Sequence, residues 1–177
     1  MRIISGTKRG MLLKAPEGMD TRPTSDRARE ALFNIIAPYV AGCDFLDLFS
    51  GSGAVGTEAL SRGAEKAYFV ENSSADIIKF NLQKAGFEKT AKVFKSDVFS
   101  FLNTTEEKFD IIFLDPPYHK GFVEKALDII GKKNMLKDGG TAVAECDFDE
   151  ALPAEISGLM LFDRRKYGRA ILNFYKK

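Results

Sequence analysis

Phe45-Leu46-Asp47-Leu48-Phe49, followed at once by Ser50-Gly51-Ser52-Gly53, decides the fold. A short apolar run closed by a glycine turn reads as a buried strand. Helical spacing then begins and predicts a helix from about Ala54 to Arg62. The same grammar repeats downstream. Ala67 to Val70 reads as a strand ending in Glu71-Asn72, followed by a helix over Ala75 to Ala85 that Gly86 closes. Ala91 to Lys95 is a third strand, ending in Ser96-Asp97, with a short helix around Val98 to Leu102. Phe109 to Leu114 is the most apolar strand and runs into Asp115-Pro116-Pro117-Tyr118; a helix over Phe122 to Ile130 follows. Gly140 to Cys146 is a fifth strand, and Met160 to Asp163 and Ala170 to Tyr175 make a sixth and seventh. Strands alternating with helices predict an α/β, Rossmann-like sheet of parallel strands with helices on both faces. Gly168 allows a hairpin between the last two runs, so the final strand is expected to be antiparallel.

Upstream, Arg2 to Lys14 holds two short apolar runs around a Gly6 to Gly10 turn, which predicts a small hairpin. Thr24 is placed to cap a helix after Pro23. Ala28, Leu32, Ile35, Ile36 and Tyr39 form its expected apolar face, Arg27, Arg29 and Glu30 the opposite one, and Pro38 weakens its last turn. The expected organisation is an extension over residues 1–41 packed on a domain over 42–177.

The 177 residues carry 26 Lys+Arg and 25 Asp+Glu, and 45% are apolar, which excludes a disordered chain. No apolar run nears the roughly 18 residues of a membrane span, and Met1-Arg2 to Gly10 has no apolar leader, so a cytoplasmic protein is expected. Two cysteines, Cys43 and Cys146, and one histidine, His119, exclude a disulfide framework and leave no adequate zinc ligand set, so no metal is expected. The charge is uneven. Residues 1–30 hold seven basic and four acidic side chains, residues 161–177 six and one, and the stretch between 13 and 20. Basic ends around an acidic middle suit a polyanion surface beside a pocket for a cation, although solvated tails give the same pattern.

Ligands of such sheets bind beyond the carboxyl ends of the strands. Asp47, Glu71, Asp97 and Asp115 all fall on that rim. Gly51-Ser-Gly53-Ala-Val-Gly56 fits a dinucleotide loop, and Glu71 follows at the spacing of a ribose-binding acid. A nicotinamide oxidoreductase is therefore one reading. Asp47 opposes it, because a carboxylate in the cleft repels a pyrophosphate seated on the loop and attracts an ammonium group. S-adenosylmethionine has an ammonium, a sulfonium, a ribose and no phosphate, and matches better.

Asp115-Pro116-Pro117-Tyr118 is a sharper signal. Two prolines fix φ and remove two donors, leaving the Asp115 carboxylate and the Pro116 carbonyl as acceptors on a rigid loop. An exocyclic NH₂ of a nucleobase offers two hydrogens to such a pair. Accepting both draws the nitrogen towards tetrahedral geometry and localises its lone pair for attack on a sulfonium methyl. Tyr118 offers a face for base stacking, worth roughly 1–3 kcal/mol.

With these motifs read, the chain resembles the RsmD family of class I methyltransferases. Arg2 to Gly10 resembles the family's opening, Arg22-Pro-Thr-Ser-Asp-Arg-Ala-Arg-Glu-Ala-Leu-Phe-Asn34 its N-terminal helix signature, and Asp47 to Gly63 its cofactor loop. The resemblance implies a seven-stranded class I methyltransferase sheet with S-adenosylmethionine as cofactor. It implies methylation of guanine N2 in bacterial 16S ribosomal RNA, free or within a small-subunit assembly intermediate. It implies Asp47, Gly51 and Gly53 at the methionine part, Glu71 at the ribose hydroxyls and Asp97 at the adenine amino group, with Ser50, Asn72 and Val98 also in the cofactor site. Arg165-Lys-Tyr-Gly168 resembles the family's C-terminal turn, but Arg169 stands where the family often has an acid. Lys8, Arg9, Arg22, Arg27, Arg164, Arg165 and Lys166 are the phosphate-contact candidates. An adenine-N6 or cytosine-N4 DNA methyltransferase shares the proline loop, and a non-catalytic RNA-binding module shares the fold.

Overall fold

The computed structural model describes residues 1–16 and 26–177; Arg22, Pro23 and Thr24 lie outside them. The elements, in chain order, are α1 (Asp26–Val40), β1 (Asp44–Leu48), α2 (Ala54–Ser61), β2 (Lys66–Glu71), α3 (Ala75–Ala85), β3 (Ala91–Lys95), α4 (Val98–Thr104), β4 (Phe109–Leu114), α5 (Phe122–Lys132), β5 (Leu136–Asp147), β6 (Glu155–Ile156), β7 (Leu159–Tyr167) and β8 (Ala170–Lys176). The sheet runs β3-β2-β1-β4-β5-β8-β7-β6. β1 to β5 are parallel, and β8 is antiparallel to both β5 and β7. This is the expected Rossmann-like α/β fold.

Alternation along the strands builds two cores. Leu46, Leu48, Ile112 and Leu114 face α4 and α5, where they meet Leu102, Leu127 and Ile130. Phe45, Phe69, Ile111 and Phe113 face the other way, against Leu32, Phe33, Ile36, Val55, Leu60, Ile78 and Leu82 of α1 to α3. Strands buried on both faces explain why β1 and β4 read as continuous apolar runs.

The structure departs from the sequence reading at identifiable points. The sheet has eight strands, not seven. β6 is two residues long and pairs with the start of β7 through Ser157 (φ 49) and Gly158 (φ 82), a tight left-handed turn. β5 begins at Leu136, because its register against β4 jumps between Phe109 and Ile111. That irregularity carries Lys137 onto Asp44 and Asp110, at 2.6 and 2.8 Å. α1 continues past Pro38 to a buried Val40; a proline so near the end costs only a terminal hydrogen bond. Arg29, expected on the solvent face, is buried and donates to the Arg2 carbonyl at 2.6 Å, whereas Tyr39, expected in the core, is exposed.

The N-terminal hairpin is present, as one isolated bridge, Arg2 to Leu12, extended by Ile3–Met11 and Gly10–Ile3 backbone bonds. It is held to α2 and α3 by side chains. The buried Glu58 carboxylate accepts the Ile4 and Ser5 N–H groups at 2.7 and 2.9 Å and the Arg62 Nε–H at 2.7 Å. Asn81 accepts the Lys14 N–H and donates to the carbonyls of Lys14 and Ser52. Gly6 is required here, since a Cβ at that position would lie 1.8 Å from the Ser61 carbonyl oxygen. No helix among the described residues is long and apolar enough to cross a membrane.

Candidate active site

Of the four acids expected at the carboxyl ends of the strands, Asp47, Glu71 and Asp115 interact with one another, while Asp97 is exposed and caps α4. Asp47 is buried in β1 and accepts the Gly56 N–H through Oδ2 at 2.8 Å. Burial pushes its carboxyl well up, and the charges of Asp115 and Glu71 push it further, against the Gly56 hydrogen bond. Asp47 in β1, Glu71 at the end of β2 and Asp115 just after β4 therefore stand close enough for their charges to act on one another. Glu71 accepts the Gly51 N–H through Oε2 at 2.8 Å, while Oε1 takes the Ser73 N–H at 2.9 Å. Asn72 beside it is exposed. Asp97 caps α4 by accepting the Ser100 N–H at 2.9 Å, with Val98 buried behind it.

The glycine loop is built for close approach. Gly51 has φ 54, with open space where a Cβ would stand. Gly53 and Gly56 also serve packing, since a Cβ on Gly53 would lie 2.9 Å from Ile78 and one on Gly56 2.4 Å from the Phe69 ring. The Ser50 hydroxyl donates to the Asp47 carbonyl at 2.6 Å and accepts the Val70 N–H at 3.1 Å. It ties β1 to β2, and its part in a ligand site is to shape the loop. A rim that brings the charges of Asp47, Glu71 and Asp115 together suits a ligand bearing an ammonium and a sulfonium and disfavours a pyrophosphate. The donor and acceptor set therefore suits S-adenosylmethionine.

Asp115 is half-buried, Pro116 buried, Pro117 exposed and Tyr118 half-buried. The Tyr118 hydroxyl donates to Glu145 Oε1 at 3.0 Å. Glu145 ends the apolar part of β5 and escaped the sequence reading; a lone carboxylate after Ala142-Val-Ala144 was the available signal. Three half-buried phenylalanines also escaped it. Phe49 stacks on Phe122 (6.1 Å, 9°), and Phe99 meets both rings edge-on. Phe49 and His119, each with φ 58, are left-handed non-glycine residues in the loops after β1 and β4.

The basic candidates divide. The β7–β8 turn lies at the carboxyl end of β5, since Asp147 pairs with Ala170, so exposed Arg165 and Lys166 and their neighbour Arg164 flank the rim. Arg169 binds Asp147 through Nη2 at 2.5 Å. Lys8 and Arg9 sit at the hairpin turn against Ser61, the far end of α2, and exposed Arg27 opens α1. His119, Asp147 and Asp149 gather near the rim, with donor atoms within 4.8 Å of one another, but Asp147 already holds the Arg169 cation. Cys43 and Cys146 are buried free thiols.

The comparisons with known proteins agree with this geometry. The family described as Conserved hypothetical protein 95 matches residues 1–176. "Putative rRNA methyltransferase YlbH" of Bacillus subtilis (strain 168) is 41% identical, covering 100% of this chain and 99% of its own. "Ribosomal RNA small subunit methyltransferase D" of Escherichia coli (strain K12) is 36% identical over 100% of this chain and 90% of its own. The solved structure of "Putative methyltransferase yhhF from Escherichia coli" superposes with a TM-score of 0.88 at 34% identity, covering 99% of this chain and 96% of its own. An acid-rimmed glycine loop, a proline loop one strand away and relatives aligned from end to end lead to one assignment: the chain belongs to the RsmD family of class I S-adenosylmethionine-dependent methyltransferases.

Proposed function

We propose that this chain methylates the exocyclic N2 amino group of a guanine in 16S, small-subunit, ribosomal RNA. S-adenosylmethionine supplies an electrophilic methyl group on a sulfonium. Asp47 and the loop backbone at Gly51 and Gly53, shaped by Ser50, hold its methionine end. Glu71 and Asn72 take the ribose hydroxyls. Asp97 and Val98 take the adenine, with Phe49 and Phe99 as apolar wall.

The observation that carries the reading is the Asp115-Pro116-Pro117-Tyr118 loop, whose Asp115 charge reaches both Asp47 and Glu145. The Asp115 carboxylate and the Pro116 carbonyl accept the two amine hydrogens, and Tyr118 stacks on the base. Held by these acceptors, the nitrogen would present its lone pair to the methyl group that the bound cofactor would supply, with the neutral thioether as leaving group. The excess proton leaves N2 afterwards, to Asp115 or to water. Alignment and fixed dipoles supply most of the rate.

Arg165 and Lys166, with Arg164, bind phosphates next to the target nucleotide. Lys8, Arg9 and Arg27 meet a more distant part of an extended RNA, and Arg22 belongs to the same basic set. Residues 1–41 act as an extension clasped on a methyltransferase domain over 42–177. The substrate is taken in the cytoplasm, as 16S rRNA free or within a small-subunit assembly intermediate. Incubation with labelled cofactor and 16S rRNA, both free and in partly assembled small subunits, or duplex DNA tests the reading. It predicts label in N2-methylguanosine of the rRNA; label in DNA adenine or cytosine alone contradicts it.

A further inference from the structure

β4 and β5 run parallel, with Leu114 paired to Ala144, so Asp115 and Glu145 are the next residues on neighbouring strands. The Glu145 side chain is sealed in the protein, with 2% exposure. Its Oε1 accepts the Tyr118 hydroxyl at 3.0 Å, and its Oε2 is buried with no hydrogen-bond partner among the described residues. An ionised carboxylate held by one hydrogen bond is costly, and an apolar side chain of the same volume would stabilise the strand better. Burial first, then the charge of Asp115, push this carboxyl up to about 8. The groups facing it are Asp115 and Tyr118 from the loop after β4; Cys146 points to the other face of β5, and the Arg169–Asp147 pair lies one residue beyond. The other buried acids of the rim hold backbone N–H groups: Asp47 that of Gly56, Asp147 that of Phe148. Glu145 instead holds a side chain of the Asp-Pro-Pro-Tyr loop.

We infer that Glu145 is a positioning residue for methyl transfer: it anchors the Tyr118 ring by its hydroxyl and fixes the stacking face relative to Asp115. The inference rests on the methyltransferase reading of that loop. An unanchored ring still offers its apolar face, so substrate binding survives. What is lost is the angle at which the amine meets its acceptors, and a small misalignment at that point costs rate rather than affinity.

The test uses the full chain as wild type, Glu145→Gln, Glu145→Ala, Tyr118→Phe and the Glu145→Ala/Tyr118→Phe double variant. Single-turnover rate, RNA KM and cofactor Kd are measured with 16S rRNA, and urea unfolding confirms that each variant is folded. Glu145→Ala and Tyr118→Phe should each slow the transfer about 10-fold or more, with KM and Kd held within about 2-fold. Glu145→Gln, whose carbonyl still accepts the phenol, should keep most of the rate. The double variant should be no slower than the worse single variant, since both remove one contact. A wild-type rate in Glu145→Ala, a Gln variant as slow as the Ala variant, or losses that multiply in the double variant would overturn the inference. A wild-type protein inert on 16S rRNA, free and in partly assembled small subunits alike, sinks the functional reading itself, whereas an active wild type with an indifferent Glu145→Ala sinks only the positioning role.

Discussion

Asp47 Oδ2 accepts the backbone N–H of Gly56 at 2.8 Å, nine residues further along the chain. One carboxylate thus bends the glycine loop over the end of β1 and leaves its negative charge beneath the cleft. The N–H comes from the first turns of α2, an element whose amino end would otherwise attract an anion. Partial neutralisation of that end helps to explain why a G-x-G-x-x-G loop can serve a cationic ligand.

Asp47→Asn separates these two roles, because the amide oxygen still accepts the Gly56 N–H. The variant should fold, with a melting temperature within a few degrees of wild type. Its S-adenosylmethionine affinity should fall roughly 10- to 100-fold, the worth of one charge-assisted contact. The wild-type Asp47 carboxyl titrates well above its ordinary range, so a cationic ligand must favour its deprotonated form. Affinity should therefore rise with pH in the wild type and stay flatter in Asp47→Asn. Calorimetry across pH checks both; equal affinities and equal slopes would refute the role.

Glu145 makes stability depend on pH in the opposite sense to a salt-bridged acid. Its carboxyl titrates at about 8 when folded and near 4.3 when unfolded. Between those values the native state holds a proton that the unfolded chain has lost, so rising pH drains stability through that window. Glu145→Gln does not titrate. Its melting temperature relative to wild type should climb by several degrees between pH 5 and pH 8. A difference that stays constant with pH would show that the carboxyl is ionised throughout.

The hairpin clasp has its own test. Glu58→Ala leaves the Ile4 and Ser5 N–H groups and the Arg62 guanidinium without their buried acceptor. The expected cost is about 3 kcal/mol in urea unfolding. Trypsin should cut after Lys8 and Arg9 sooner than in wild type. Unchanged stability and digestion would mean that the hairpin is held by other contacts.

The order of strands and helices was legible because glycines punctuate it and strands buried on both faces read as unbroken apolar runs. α3, β3 and β4 match the sequence reading end for end. β6 was not legible, since two residues carry no periodicity and only the Ser157-Gly158 pair announces the turn. Helical spacing misassigned Arg29 and Tyr39, because periodicity cannot know that the Arg2 carbonyl covers one face of α1. The rim acids were visible, as each ends a strand. Glu145 and the Phe49–Phe99–Phe122 wall were not, because each looks like core until separate loops converge. Lys8 and Arg165 looked alike in the sequence, and only the pairing of β5 with β8 puts one of them beside the rim.

The acceptor role of Asp115 is tested most directly by one measurement: methyl transfer from labelled S-adenosylmethionine to 16S rRNA by wild type and Asp115→Ala, with cofactor affinity measured in parallel. The loss should be on the order of 1,000-fold or more in rate, as for removal of one preorganised transition-state contact or beyond, with cofactor Kd within about 2-fold. An Asp115→Ala protein that methylates guanine N2 at close to the wild-type rate would contradict the account.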